Sequence, residues 1–184
     1  MENTRTKTTR NSLILLLTAA IWGMAFVSQS KGMDYMHPFT FNGVRSLIGA
    51  ASILVYILIS RKIAGDKAAP LDWKLNVKAG LLCGIFLTIA STLQQFGIKY
   101  TSVGKAGFIT TLYIIFVPMF GIFLKKKVAP VVWAAAVMAA VGMYLLCMTE
   151  SLRLGAGDIM VFLCAIAFAI QIMTVDHYAA RIDG

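Results

Sequence analysis

The side chains in this sequence that could bind a solute are a few amides and hydroxyls and one arginine, set into long apolar segments. They lie in the same half of their segments and comprise Asn42, Arg45, Gln94, Gln95, Thr110 and Thr111. Trp22, midway along the first segment, could form the floor beneath them. Small-molecule sites are mostly apolar with a few placed polar groups, so this pattern predicts a substrate-binding belt. The alternative is that glutamine and threonine join neighbouring helices by hydrogen bonds.

Arg45 allows two interpretations. An ionisable residue inside a membrane segment is a functional candidate by default, so Arg45 could present its charge to a substrate path. Its long side chain could instead reach the membrane interface, or pair with an acid on the same side of the membrane. The candidate acids are Asp34, Glu150 and Asp158. The sequence leaves both interpretations open.

Residues for catalysis or metal binding do not form a recognisable set. The sequence has no H-E-x-x-H, no G-x-S-x-G and no Walker loop. His37 and His177 belong to opposite membrane faces, so they are not expected to share a metal. The cysteines lie inside apolar segments without CxxC spacing, which is typical of small packing residues: Cys83, Cys147 and Cys164. We therefore predict no enzyme activity, no cofactor and no metal site.

The composition places these side chains in a membrane protein. The chain is 59% hydrophobic and 14% charged, with a mean hydropathy of +0.78, whereas soluble domains carry about 25% charged residues. Six apolar segments are each about 20 residues long, enough to cross the bilayer as helices. They are residues 12–29, 38–60, 79–98, 103–124, 128–148 and 158–178. The predicted fold is an all-α membrane protein with six transmembrane helices, and no Asp or Glu lies at the middle of any of them.

The basic residues predict the orientation. The net charge is +9, and the lysines and arginines concentrate in the N-terminal tail, in loop 61–78 and at residues 125–127. Cytoplasmic loops of membrane proteins carry such an excess, so the N-terminus is expected in the cytoplasm and the protein in the inner membrane. This distribution favours a lipid bilayer over nucleic acid as the partner. A signal peptide is the alternative reading of the first segment.

Small residues mark two helix faces in the middle of the chain. Gly80 and Gly84 share one face of the third segment, and Gly107 begins a similar face on the fourth. Such residues let membrane helices approach closely, so we predict tight packing there. Pro118 lies inside the fourth segment and is expected to kink it, because proline removes one helical hydrogen bond.

Residues 97–124 carry a specific pattern, GIKYTSVGKAGFITTLYIIFVPMFGIFL, after a segment that contains glutamines. The Y-T-S turn, the small residues, the Thr/Leu run and the proline resemble the centre of an EamA-type domain of the drug/metabolite transporter superfamily. Arg45, seven residues after Pro38, and residues 20–23 (AIWG) are similar to the family's second and first helices. One departure follows Leu124, where the family usually has Gly-Glu and this sequence has three lysines.

The resemblance implies an inner-membrane transporter that exports small metabolites, such as amino acids or related compounds, by alternating access. Residues 1–11 would be a cytoplasmic tail and residues 12–149 one five-helix EamA-type repeat. A non-transporting membrane assembly or regulatory protein, or an inactive fragment, is the alternative. The family's small multidrug-resistance branch has an essential glutamate in its first helix, and this sequence has none there.

A weak internal repeat predicts a second unit. Residues 19–23 align with residues 164–168, each midway along its segment. Five spans separate the two starts, and an odd number inverts the second unit relative to the first, as in inverted-repeat transporters. Residues 158–184 are therefore expected to begin a truncated second EamA-type repeat. The expected partners are a small-molecule substrate and either a missing second half or a second copy of the chain.

Overall fold

The computed structural model describes residues 2–64, 72–124, 128–147, 155–179 and 181. This part of the chain forms seven α-helices and no β-strand. The helices are α1 (Glu2–Gly32), α2 (Pro38–Ala64), α3 (Trp73–Tyr100), α4 (Val103–Thr111), α5 (Tyr113–Phe123), α6 (Pro130–Cys147) and α7 (Ala156–Ala179).

Five apolar stretches are long enough to cross a membrane, among the described residues. Four belong to α1, α2, α3 and α7, and the fifth is formed by α4 and α5 together, over Val103–Phe123. A sixth, shorter apolar helix spans Pro130–Gly142. In lipid only helices and closed barrels satisfy the backbone internally. The predicted all-α membrane fold with about six spans is confirmed.

Local chemistry sets where several helices begin. Pro38 and Pro130 open α2 and α6, where the missing N–H costs nothing. The Asp72 carboxylate caps α3 by accepting the backbone N–H of Leu75 at 3.1 Å. The Ser102 hydroxyl caps α4 in the same way at 3.2 Å. Since only two residues separate α3 from α4, the two helices must run antiparallel, and we call the end of the bundle that carries this connection the turn end.

The predicted spans differ from the helices at three places. α1 begins at Glu2, so most of the predicted tail is helical. α3 begins at Trp73, ahead of the apolar segment. The fourth span is interrupted at Leu112, while α5 continues through Pro118. At the interruption the Leu112 N–H bonds to Ile109 O at 3.2 Å, and the Thr111 hydroxyl bonds back to its own helix, which is a known cause of local helix bending.

The closest helix packing joins α3 to α7. Gly97 and Gly157 meet at their crossing: a Cβ at Gly97 would lie 2.9 Å from Gly157 O, and a Cβ at Gly157 would lie 2.8 Å from Gly97 O. Two small clusters continue this interface. One is Ala90, Cys164, Ala167 and Phe168, and the other is Ile98, Ala106, Ile109 and Val161. Small side chains on both helices therefore bring the two backbones together.

The predicted glycine faces do not form close contacts within the described chain. A Cβ built at Gly80, Gly84 or Gly107 meets nothing within 4 Å. α3 carries more than one stripe of small residues, and α7 packs on the one that contains Gly97. Gly80 is exposed, Gly84 and Gly107 are half-buried, and most apolar side chains of α1 and α2 are exposed.

Candidate functional site

Two adjacent glutamines near the end of α3 reach in different directions. The Gln94 Nε2 donates to the Thr110 Oγ1 of α4 at 3.3 Å. The Gln95 Nε2 donates to the backbone carbonyl of Gln29 in α1 at 3.3 Å. Gln94, Gln95 and Thr110 are all buried. Because consecutive helical residues project about 100° apart, one dipeptide ties α3 to two different neighbours.

The network extends from Thr110 to the last helix. The Cys164 thiol of α7 lies beside the Thr110 side chain. Cys164 is fully buried and belongs to the cluster that holds α7 against α3. Cys164 is thus a small packing residue with a weak polar link, in keeping with the usual behaviour of buried cysteine.

Asn42 links α2 to the same region. Its Nδ2 donates to the Ser91 carbonyl of α3 at 3.1 Å, and its Oδ1 accepts from the Arg45 Nη2 at 2.9 Å. The Arg45 guanidinium also lies 5.7 Å from the centroid of the Phe41 ring, within the range of a cation–π contact. Asn42 is buried and Arg45 is exposed. The arginine is therefore oriented by an amide and an aromatic ring on its own helix.

Of the acid partners suggested for Arg45, Asp158 has a different partner. Asp158 is 2% exposed and pairs with Lys105, whose Nζ lies 2.7 Å from Asp158 Oδ2. It also accepts from the Gly155 N–H at 2.9 Å and from the Thr101 hydroxyl. This group, which we call the Asp158 cluster, fastens the start of α7 to the α3–α4 connection. Asp34 is exposed, and Glu150 lies outside the described residues.

The remaining predicted site residues lie apart from this network. Trp22 is 50% exposed on α1. The Thr111 hydroxyl donates to the Gly107 carbonyl of its own helix at 2.7 Å. Thr111 also borders a cavity of about 10 Å³ between α4–α5 and α6, which has room for about one water molecule.

Three hydrogen bonds to α3, together with the Asn42–Arg45 pair, define what we call the polar belt, near the turn end. Its members are Gln29, Asn42, Arg45, Gln94, Gln95 and Thr110. Sequence reasoning missed Gln29, because its burial depends on how α1 packs in the structure. Phe26 lies one turn earlier on α1 and packs against the buried cluster around Ile98, so the helical period places Gln29 on the same inward face.

Two amide oxygens of the polar belt have no hydrogen-bond partner among the described residues: Gln29 Oε1 and Gln95 Oε1. Gln29 is 5% exposed and Gln95 is 0% exposed. Leaving a buried acceptor unsatisfied costs about 1–3 kcal/mol. Such groups in a native protein need an explanation, and a bound donor is one.

A larger cavity lies at the opposite end of the bundle. It measures about 460 Å³ and is bounded by α3, α5 and α7. Its wall is largely apolar, with Leu82, Phe120 and Met173, and three polar side chains stand at its edge: Thr174, His177 and Tyr178. None of the predicted site residues lines it.

Groups of three or more metal-ligating side chains are absent from the described part of the chain. His37 stacks on Phe39 at the turn end, and His177 lies against Tyr178 at the other. The two histidines are therefore far apart. The side chain of Cys147 lies outside the described residues.

Comparison with known proteins places this arrangement among transporters. The model of the EamA-like transporter family matches residues 10–148. An uncharacterized transporter of Archaeoglobus fulgidus is 31% identical over 171 residues, which cover 90% of this chain and 48% of the relative. The chain thus spans about half the length of this curated relative. No solved structure matches.

Proposed function

The chain belongs to the EamA-like transporter family, and from this premise we propose that it moves a small metabolite across the cell membrane by alternating access. At the coarser level it is a multi-pass membrane transporter of the drug/metabolite type. The observation that carries the proposal is the polar belt, whose hydrogen bonds link α1, α2 and α4 to α3 near the turn end of an otherwise apolar bundle.

Polar groups inside a membrane are expensive, and they mark substrate paths. Within the belt, Arg45 is exposed and already oriented by Asn42 and Phe41. Its planar guanidinium suits a carboxylate, which it can hold through two parallel hydrogen bonds. An amino acid or related compound, the substrate class suggested by the family resemblance, carries such a group. We therefore assign Arg45 to the substrate carboxylate.

The mobile parts in this proposal are α1 and α2. The α3–α7 pair is closely packed and is fastened at the turn end by the Asp158 cluster. In contrast, the apolar windows of α1 and α2 are 0% buried. The two helices contact α3 near the turn end, through the hydrogen bonds of the polar belt and through side chains such as Phe39 against Phe96. Helices held by few contacts open at lower free energy than a packed core.

The other face of the path would come from a second bundle. The relative is about twice as long as the region it shares with this chain, and the apolar surfaces of α1, α2 and α6 are exposed here. We propose that an inverted second unit, or a second copy, covers the polar belt. Export, an inner-membrane location and a cytoplasmic N-terminus belong to the same proposal, since the basic loops predict that orientation.

The test is solute movement by the natural full-length protein. Metabolite profiling of medium and cells that overproduce it should reveal an exported compound, and proteoliposomes should then transport that compound in labelled form. Arg45→Gln should abolish most of this transport while leaving membrane insertion intact. A protein that inserts and folds but moves no solute in either assay would favour the alternative role in membrane assembly or regulation.

A further inference from the structure

We propose that Gln29 and Gln95 form a site for the protonated amine of the transported solute. The inference rests on the proposed transport function and adds a recognition group to it. Both residues are more than nine-tenths buried and in direct contact, and both carry an amide oxygen without a hydrogen-bond donor among the described residues. Two acceptors left open in one helix interface indicate a missing donor.

The orientation of the Gln95 amide follows from its partner. Its Nε2 donates to the backbone carbonyl of Gln29 at 3.3 Å, and a carbonyl oxygen can only accept. Turning the amide over would set two oxygens against each other. The Gln95 Oε1 is therefore the atom that remains open, and the same contact holds the two glutamines together.

The chemistry of the open groups selects the ligand. An ammonium group has three N–H donors and no lone pair, so it can satisfy two acceptors without needing a donor in return. A hydroxyl donates one hydrogen bond and a water molecule two, and each brings lone pairs that would themselves need donors in a buried place. A carboxylate has no donor, so it can satisfy neither acceptor. A protonated amine is thus the group that matches this pair.

The surroundings of the pair connect it to Arg45. A Cβ placed on Gly32, near the end of α1, would lie 2.6 Å from the Phe41 ring, and the Arg45 guanidinium lies 5.7 Å from the centroid of the same ring. The Phe41 ring therefore contacts α1 about one turn after Gln29 and also lies beside the Arg45 cation. A solute that carries an amine and an anionic group could engage both.

Access to the pair depends on α1. Gln95 is fully buried and its amide bonds to α1, so in this proposal an amine reaches it when α1 moves away from α3. The rest of α1 offers little resistance, since its apolar window is 0% buried. An amine bound between the two oxygens would then hold α1 against α3. In this proposal, binding of the amine and closure of α1 against α3 occur together.

The experiment uses the natural full-length protein in lipid nanodiscs and measures thermal stabilisation and equilibrium binding. The probes are L-amino acids, each paired with the 2-hydroxy acid of the same side chain, together with putrescine, at up to about 10 mM. We expect amines to raise the melting temperature and the matched hydroxy acids to leave it unchanged. If hydroxy acids bind as well as their amino acids, or if no amine binds, the amine site is wrong.

Variants separate this site from a purely structural contact. Gln29→Leu keeps the backbone carbonyl that Gln95 uses, so the ligand-free protein should be as stable as the parent or more so, while amine affinity falls about tenfold or more. Gln29→Glu keeps an acceptor and should retain amine binding, although the ligand-free protein becomes less stable because it buries a charge. Ser28→Ala is the matched control, because the Ser28 hydroxyl is exposed and bonds only to Met24 O in its own helix.

The outcomes distinguish the two proposals. Unchanged amine affinity in Gln29→Leu would overturn the amine site, and so would a loss of stability in the ligand-free variant. In either case transport by the parent protein would still support the proposed function. A parent protein that transports only solutes without an amine would also contradict the site. A parent that transports nothing would contradict the function itself.

Discussion

Gly97 and Gly157 face each other across the α3–α7 crossing, and each places its carbonyl oxygen where a side chain on the other would stand. The two distances, 2.9 Å and 2.8 Å from a built Cβ to the opposing oxygen, are too short for any real side chain. A Cβ at Gly97 would also lie 2.4 Å from the Val161 Cγ2. That side chain could turn aside, but the backbone oxygens on both sides could not. This pair therefore fixes the helix separation on which the adjoining core depends.

The first prediction follows from this contact. Gly97→Ala should lower the free energy of unfolding by about 1–3 kcal/mol, because the added methyl forces α3 and α7 apart. Gly84→Leu is the matched control on the same helix, and it should change the free energy by no more than about 0.5 kcal/mol, since a Cβ there meets nothing within 4 Å. Fluorescence-detected melting of purified protein would measure both. Equal loss in the two variants would mean that Gly84 meets a second unit.

The second prediction concerns the ion pair of the Asp158 cluster. Asp158 is 2% exposed and Lys105 is 19% exposed, so the two partners are not equivalent. Lys105→Met leaves a buried carboxylate and should cost about 3 kcal/mol. Asp158→Asn leaves a lysine that can reach water and should cost about 1–2 kcal/mol. Unfolding titrations would give both values.

A double variant and a control complete that test. Lys105→Met combined with Asp158→Asn should be more stable than Lys105→Met alone, because no charge remains buried. Lys99→Met removes an exposed lysine at the same end of the bundle, over the Tyr100 ring, and should stay within about 0.5 kcal/mol of the parent. If Lys105→Met were as stable as the parent, another cation would have to neutralise the Asp158 carboxylate.

The third prediction concerns the orientation in the membrane. Single cysteines at positions 67 and 126 should be labelled from the cytoplasm, and those at positions 100 and 153 from outside, because the basic loops remain inside. Positions 67, 126 and 153 lie outside the described residues, so this prediction depends on the sequence. Labelling of intact cells with a membrane-impermeant maleimide would measure it. Position 126 labelled from outside would overturn the proposed inverted second unit.

The sequence predicts the fold of this chain well, because lipid leaves little choice. A run of about 20 apolar residues must form a helix in a bilayer, and the four residues between the third and fourth segments must fold one helix back on the other. The rotation of each helix about its own axis could not be predicted in this way. Gly84 and Gly97 are both glycines of α3 among apolar residues, and only the fit against α7 decides that Gly97 carries the close contact.

Part of the candidate site could be predicted, because the spacing of residues along one helix fixes which side chains are neighbours. Arg45 and Asn42 are three residues apart on a helix, so their hydrogen bond follows from spacing. Gln94 and Gln95 were recognisable as polar groups in lipid, but their partners depend on which helices lie alongside. Gln29 is near the end of its helix, where a polar residue is ordinary at the membrane surface. Its burial comes from tertiary packing, and the sequence alone does not show it.

The fourth prediction concerns Arg45, for which the sequence allowed a transport role or a reach to the interface. The hydrogen-bond partner that the structure gives it is the Asn42 amide, with the Phe41 ring beside it. Arg45→Gln therefore removes no partner of a buried acid, and its free energy of unfolding should stay within about 0.5 kcal/mol of the parent. Transport should fall about tenfold or more, because the variant loses a charge-assisted bond to the substrate carboxylate.

Two further variants decide between the readings of Arg45. Arg45→Lys keeps the charge but loses the planar fork, so transport should lie between those of the parent and Arg45→Gln. Lys31→Gln removes an exposed cation at the same end and should leave transport unchanged. If Arg45→Gln transports like the parent, the arginine reaches the interface and does not meet the solute. If Arg45→Gln instead unfolds, a buried acid depends on the arginine, and Asn42 is not its main partner. Only low transport with normal stability and an intermediate lysine variant supports a guanidinium that binds the substrate.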